Sequence, residues 1–171
     1  RLVGSGVLER TVDSGKATLH PIKRTRTTLS YLAIALMGTD EERKIYRQAV
    51  NGSHIQVRST EDSPVTYNAL DPTLQLWVAA CLYRGFLDVI GAMRIGVDVA
   101  GDEVFYRHAA RLGTTLQVKD AMWPADIDAF WEYWNSHAEH IEIDDATRRY
   151  LSDLTRFRNL PKPLARTVGR F

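Results

Sequence analysis

Between Asp71 and Met93 lies the most apolar stretch of the chain, and it limits the available folds more than any other feature. Asp71-Pro72 supplies a helix N-cap followed by proline at the first helical position, where a missing N–H costs nothing. Leu74, Leu76, Trp77, Val78, Ala79, Ala80, Cys81, Leu82, Phe86, Leu87, Val89, Ile90 and Met93 then spread over nearly all sides of one helix. Such a helix belongs at the centre of a bundle or in a membrane. Arg84 and Asp88 interrupt it, and no clean run of about 18 apolar residues exists. The expectation is therefore a buried central helix with no transmembrane segment, in a soluble, cytoplasmic protein. Cys81, set among apolar neighbours, reads as a small core residue.

The flanking segments keep a helical period. From Pro21 to Met37, Leu29, Leu32, Ala33, Leu36 and Met37 fall at helical spacing. Gly38 reads as a left-handed cap, and Thr39 with Glu42 as a capping box opening the next helix. That helix runs through Ile45, Ala49 and Val50 toward Val57, weakened by Gly52 near its end. Residues 59–70 read as a loop broken by Pro64. Further helices are expected over Asp102 to about Leu116, Ala125 to about Glu139, and Asp144 to about Phe157. The second of these puts Ile127, Phe130, Trp131 and Trp134 on one stripe. The Gly-, Ser- and Thr-rich start suggests a short turn at Val7–Val12 and then loop; Pro161 and Pro163 mark an irregular tail. No alternating strand pattern and no repeat is present. The predicted fold is all-α, a single-domain helical bundle around one central apolar helix, with residues 1–20 an N-terminal remnant, 21–158 the helical domain and 159–171 a C-terminal arm. A chain of 171 residues buries enough surface to need no staples.

Charge and cysteine content exclude several classes. A net charge of +1 makes nucleic acid a poor partner. The basic run Lys23, Arg24, Arg26 reads as a solvated helix start. One cysteine rules out a disulfide framework, C-x-x-C-H haem attachment and four-cysteine metal sites. No Glu-x-x-His, H-E-x-x-H, G-x-S-x-G, Walker or G-x-G-x-x-G pattern occurs. There is neither an initiator Met nor an apolar leader, so the chain reads as a processed or trimmed piece of something longer.

Three constellations carry chemical potential. Arg24 and Thr28 stand at i and i+4 and share a helix face, where Arg can pair a carboxylate and Thr can donate beside it; a solvent-facing helix start is the bland alternative. His54 lies on one stripe with Tyr46, Val50 and Val57. It suits an axial ligand to iron, or a core histidine bonded to a backbone carbonyl. His137 and His140, with Glu139 and Glu142 nearby, make half a metal site or an exposed helix end favoured by the dipole. His108 has no obvious partner, and His20 precedes a proline in a loop.

Short stretches in a fixed order resemble a known family: Pro21-Ile22-Lys23-Arg24-Thr25-Arg26-Thr27-Thr28-Leu29, Gly38-Thr39-Asp40-Glu41-Glu42, His54-Ile55-Gln56-Val57-Arg58, Tyr67-Asn68-Ala69-Leu70-Asp71-Pro72 and Leu76-Trp77-Val78. The region of Tyr106 and the turn Met122-Trp123-Pro124 are weaker echoes. They are similar to the catalytic domain of rubber oxygenase (latex clearing protein) and the MpaB-type ER-bound oxygenases. The resemblance implies an all-α fold, haem b with its iron, and dioxygen chemistry, hence an oxidoreductase. It implies His54 as the axial ligand to the metal, and Arg24 and Thr28 as the catalytic and cofactor-binding pair beside the haem. The rubber-cleaving branch has lysine where this chain has Thr27, so polyisoprene cleavage is not implied. Family members also carry helices upstream of Pro21 that help close the pocket. The expected function is a haem-dependent oxygenase acting on a small apolar, isoprenoid- or lipid-like substrate. The alternative is a non-catalytic helical binding or carrier module that has lost the haem site. No residue pattern sets an oligomeric state.

Overall fold

The computed structural model describes residues 21–155, apart from 62, 64, 65, 94, 95, 97, 98, 142 and 144. The remnant 1–20 with its Val7–Val12 turn and His20, the Pro64 break, Glu142, Phe157 and the 159–171 arm lie outside the described residues. Helices follow in the order α1 (Pro21–Met37), α2 (Asp40–His54), α3 (Pro72–Met93), α4 (Glu103–Ala109), α5 (Arg111–Thr114), α6 (Ile127–Ala138) and α7 (Asp145–Thr155), with a 3-10 turn at Asp120–Met122. Among the described residues there is no strand, only an isolated antiparallel bridge between Arg58 and Asn68. The all-α expectation holds.

Local signals set most helix starts. Thr39 accepts the Glu42 N–H, and Glu42 Oε2 accepts the Thr39 N–H at 2.7 Å, completing the capping box. Asp71 Oδ1 accepts from the Thr73 N–H at 2.7 Å and from its hydroxyl at 2.6 Å, which opens α3. These bonds hold the Asp71 carboxyl below its usual range. Asp102 caps α4 through the Val104 and Phe105 N–H groups, and Asp126 caps α6 through the Ala129 N–H.

Three expectations about helix ends need correction. Gly38 is not a left-handed cap: among the described glycines only Gly96 has positive φ, at 71°. Gly38 is instead a close approach, where a Cβ would lie 2.5 Å from the Ile34 carbonyl oxygen. The second helix stops at His54, short of Val57, because the chain turns there and Val57 accepts the Ala69 N–H at 2.9 Å. The helix expected over 102–116 breaks at Ala110, whose N–H reaches back to Arg107 O at 3.3 Å in a tighter turn. That turn lets Gly113 of α5 approach α3 so closely that a Cβ would meet Ala79 Cβ at 3.3 Å and Val118 Cγ2 at 3.0 Å.

The chain divides into two compact units. One comprises 1–29, 59–66 and 140–171; within it, 22–29 of α1 are exposed, and α7 is the other described helix. The other comprises Ser30–Arg58 and Tyr67–Glu139 and holds the core. Its centre is aromatic. Tyr83, Tyr106 and Phe130 are fully buried, with Tyr83 edge-on to Phe130 at 4.8 Å and to Tyr106 at 5.5 Å. Ala35, Ala79, Ala80, Ala109 and Leu112 close around these rings.

The central helix α3 is buried on one face only. Leu76, Trp77, Ala79, Ala80 and Tyr83 point into the core at helical spacing. On the opposite face Val78 and Val89 are 56% and 55% exposed, and Cys81 is exposed beside them. Cys81 is therefore not a core residue: it sits nearly half a helical turn from the buried stripe, and partial desolvation pushes its thiol pKa up. By length and composition alone α3 is apolar enough to cross a membrane, although the sequence offers no uninterrupted apolar run. Its interrupting charges pair with each other, Arg84 Nε donating to Asp88 Oδ1 at 2.9 Å, and the Arg84 guanidinium lies over Trp131 at 5.3 Å.

Candidate functional site

The site is best built along α2. Residues 43, 47, 51 and 54 follow at spacings of four, four and three, so Arg43, Arg47, Asn51 and His54 share one face of the helix. His54 is the last helical residue and half-buried. Its Nδ1 lies 2.9 Å from the Val50 carbonyl oxygen and 3.0 Å from Ser53 Oγ, whose own hydroxyl donates to Val50 O at 2.8 Å. A carbonyl only accepts, so Nδ1 carries the proton, and in the neutral ring Nε2 keeps its lone pair. The sequence reading left two possibilities for this residue; the bond to a carbonyl oxygen is common to both.

Beside the Arg43–Arg47 part of α2 the same unit forms a cleft of about 940 Å³. Arg43 and Arg47 of α2, Arg107 and Arg111 from α4 and α5, and Lys119 line it, with the carboxylates of Asp40 and Asp120. His54 is not among its lining residues. Arg47 Nη2 donates to Gln117 Oε1 at 2.6 Å; Gln117 in turn donates from Nε2 to Asn51 Oδ1 at 2.7 Å. The Gln117 N–H donates to Gln75 Oε1 at 2.8 Å, tying the network to α3. Arg43 pairs with Asp40 and donates to the Gly38 carbonyl. These cleft residues were not singled out from the sequence. The signal was present as two Arg pairs at i, i+4, of which Arg43 and Arg47 share one helix face and Arg107 and Arg111 flank the break at Ala110.

Arg24 and Thr28 lie one turn apart on the exposed first half of α1, in the first unit, whereas His54 belongs to the second. The neighbouring Thr27 hydroxyl donates to the Lys23 carbonyl at 2.8 Å. Of the other histidines, His108 does have a partner: Nε2 sits 2.6 Å from Leu36 O, a link from α4 to the end of α1 that spans 72 positions of sequence. His137 is exposed, with Nδ1 at 2.8 Å from Tyr133 O, and stacks on Trp77 at 5.6 Å. His140 is exposed in the first unit. Among the described residues no three His, Cys, Asp or Glu side chains gather as a metal-holding group.

Across residues 1–171 the chain matches the family described as ER-bound oxygenase mpaB/B′/rubber oxygenase, catalytic domain. The chain belongs to that family. Two relatives stand beside it, an uncharacterised protein of Mycobacterium bovis and one of Mycobacterium tuberculosis. Each is 50% identical over 169 residues, which covers 99% of this chain and 66% of the relative. The chain thus spans about two thirds of the length of these curated relatives. No solved structure matches it.

Toward a cofactor of this oxygenase family the described residues offer one half-buried imidazole, His54, which does not line the cleft, and no group of three metal-ligating side chains. A protein cage for a free metal needs three or more ligands, and the described residues offer none. A porphyrin brings four nitrogens of its own and asks the protein for one axial donor, which a neutral imidazole with its Nδ1 proton held by a carbonyl supplies.

Proposed function

We propose that this chain is the core of a haem b-dependent oxygenase that acts on a small apolar, isoprenoid- or lipid-like substrate with dioxygen. What carries the reading is membership of the oxygenase family, and the His54 ring, with its proton held at Val50 O, is compatible with it. In this reading His54 holds the haem iron. Haem, when bound, supplies the dioxygen chemistry, and the chain sets ligand, access and polarity. Val50 and Ser53 keep the imidazole in one tautomer and one orientation. Arg24 pairs with a carboxylate of the cofactor and Thr28 donates beside it, roles that rest on membership of the family. The apolar substrate class rests on membership of the family alone. A lone cysteine allows a reducing compartment, and a cytoplasmic location is part of this proposal.

One observation favours a second reading. His137 repeats the His54 arrangement at the end of α6, with Ser136 Oγ 3.2 Å from its Nδ1 and Tyr133 O as acceptor. Two such rings, one of them exposed, suit helix-end caps in a non-catalytic binding or carrier module. Haem titration separates the two. The native chain and His137→Ala should develop the same Soret band, and His54→Ala should lose or shift it. An unchanged spectrum for His54→Ala removes His54 from the ligand role.

A further inference from the structure

We propose that the basic cleft between α2 and the α4–α5 turn is a binding site for a phosphate or diphosphate group. Five cations and two carboxylates line it, and they come from three separate parts of the chain. One of the carboxylates, Asp40, is already paired with Arg43. The lining thus carries three more positive than negative charges in a chain whose net charge is only +1.

Part of this arrangement serves the fold, since Arg43 pairs with Asp40 and bonds the Gly38 carbonyl and Arg47 bonds Gln117, but Arg111 and Lys119 make no ion pair among the described residues. Arg43 with Arg47 are like charges one turn apart within α2, which destabilises a helix, and Arg107 with Arg111 stand four residues apart across the break at Ala110. Glu103 offsets Arg107 only from 3.8 Å, with the Arg107 side chain 76% exposed. A bound anion relieves both repulsions at once. The cleft is also prepared in advance: Arg47 is positioned by Gln117, which Asn51 and Gln75 hold in turn. That chain of bonds uses one guanidinium N–H of Arg47 toward Gln117, and pre-positioning lowers the ordering cost of binding.

Charge and size select the ligand class. A lone carboxylate carries one charge and satisfies one guanidinium fork, whereas Arg47, Arg107, Arg111 and Lys119 together match a group with two or more charges and several acceptor oxygens. The cleft is broad and open to solvent, with room for a small polyanionic group at its cations. The site does not depend on the haem reading and is tested without cofactor.

The experiment is calorimetric titration of the full chain with inorganic pyrophosphate, with dihexanoyl phosphatidic acid below its micelle concentration, and with propionate. Native protein should bind pyrophosphate saturably at one site, at least tenfold more tightly than propionate. Arg47→Gln/Arg111→Gln should weaken it tenfold or more, and the single exposed change Lys119→Gln should weaken it several-fold without touching the fold. Lys23→Gln/Arg26→Gln, basic residues of α1, should leave it unchanged. Tighter binding of the lipid phosphate means that the natural ligand carries an apolar tail; equal binding means that the phosphate group alone is read. Absence of saturable pyrophosphate binding, or equal losses in the Lys23/Arg26 variant, overturns the proposal.

Discussion

Tyr83 is fully buried, four aromatic rings surround it, and its hydroxyl has no hydrogen-bond partner. Burial, then the nearby carboxylates of Glu103 and Asp102, push its pKa up, so the phenol stays neutral. A buried hydroxyl left unmade costs about 1–3 kcal/mol. Tyr83→Phe should therefore raise stability by about 1 kcal/mol, read as a higher urea midpoint. Tyr106 is its control, because its hydroxyl donates to Pro124 O at 2.6 Å. The same change there should lower stability by about 1 kcal/mol. Equal effects at the two tyrosines would mean that the Tyr83 hydroxyl is satisfied after all. At this scale the sequence is a poor guide: both residues are tyrosines on helices, and nothing local distinguishes the bonded hydroxyl from the orphan.

At the scale of the element, α2 shows what a sequence reading does well. Asp40, Glu41 and Glu42 fill its first turn, where the helix dipole favours negative charge. The Thr39 backbone N–H and then its hydroxyl hold the Glu42 carboxyl below its ordinary range. A depressed folded-state pKa adds stability that is fully present above the ordinary glutamate value of about 4.3 and disappears as pH falls through the folded value. Thr39→Ala should cost about 1 kcal/mol at pH 7. Its gap from the native chain should shrink between pH 5 and pH 3 in matched denaturation curves. A gap of constant size would show that the Glu42 charge takes no part in the cap. Thr39 and Glu42 were legible because a capping box is local, three residues wide. Gly38 was misread because its constraint is the position of one carbonyl oxygen in the preceding turn, and Gly-after-helix does not reveal the sign of φ.

At the scale of the molecule, the buried core among the described residues lies in the unit formed by 30–58 and 67–139, around Phe130 and the two buried tyrosines. Phe130 is 0% exposed and packs edge-on to Tyr83, whereas Val78 on α3 is 56% exposed. Phe130→Ala should cost about 3–5 kcal/mol. Val78→Ala should stay within about 0.5 kcal/mol. Comparable losses in chemical denaturation would mean that both faces of α3 are covered in solution. Hydrophobic pattern alone could not choose between those faces, since α3 is apolar all round.

Local order was decided by short-range chemistry. Pro21, the Thr39–Glu42 box, Asp71-Pro72 and Asp102 start helices by hydrogen bonds or fixed dihedrals that span three or four residues, so the all-α class was readable from the chain. The carbonyl bond of His54 is equally local, as it reaches four residues back along its own helix. The break at Ala110, the exposure of Cys81 and the gathering of Arg43, Arg47, Arg107, Arg111 and Lys119 in one cleft belong to the tertiary structure. These depend on which surfaces pack and on residues more than sixty positions apart meeting in space, as Arg47 and Gln117 do. Packing of that kind is a property of the folded whole, because a side chain carries no mark of a distant partner until burial and charge bring them together.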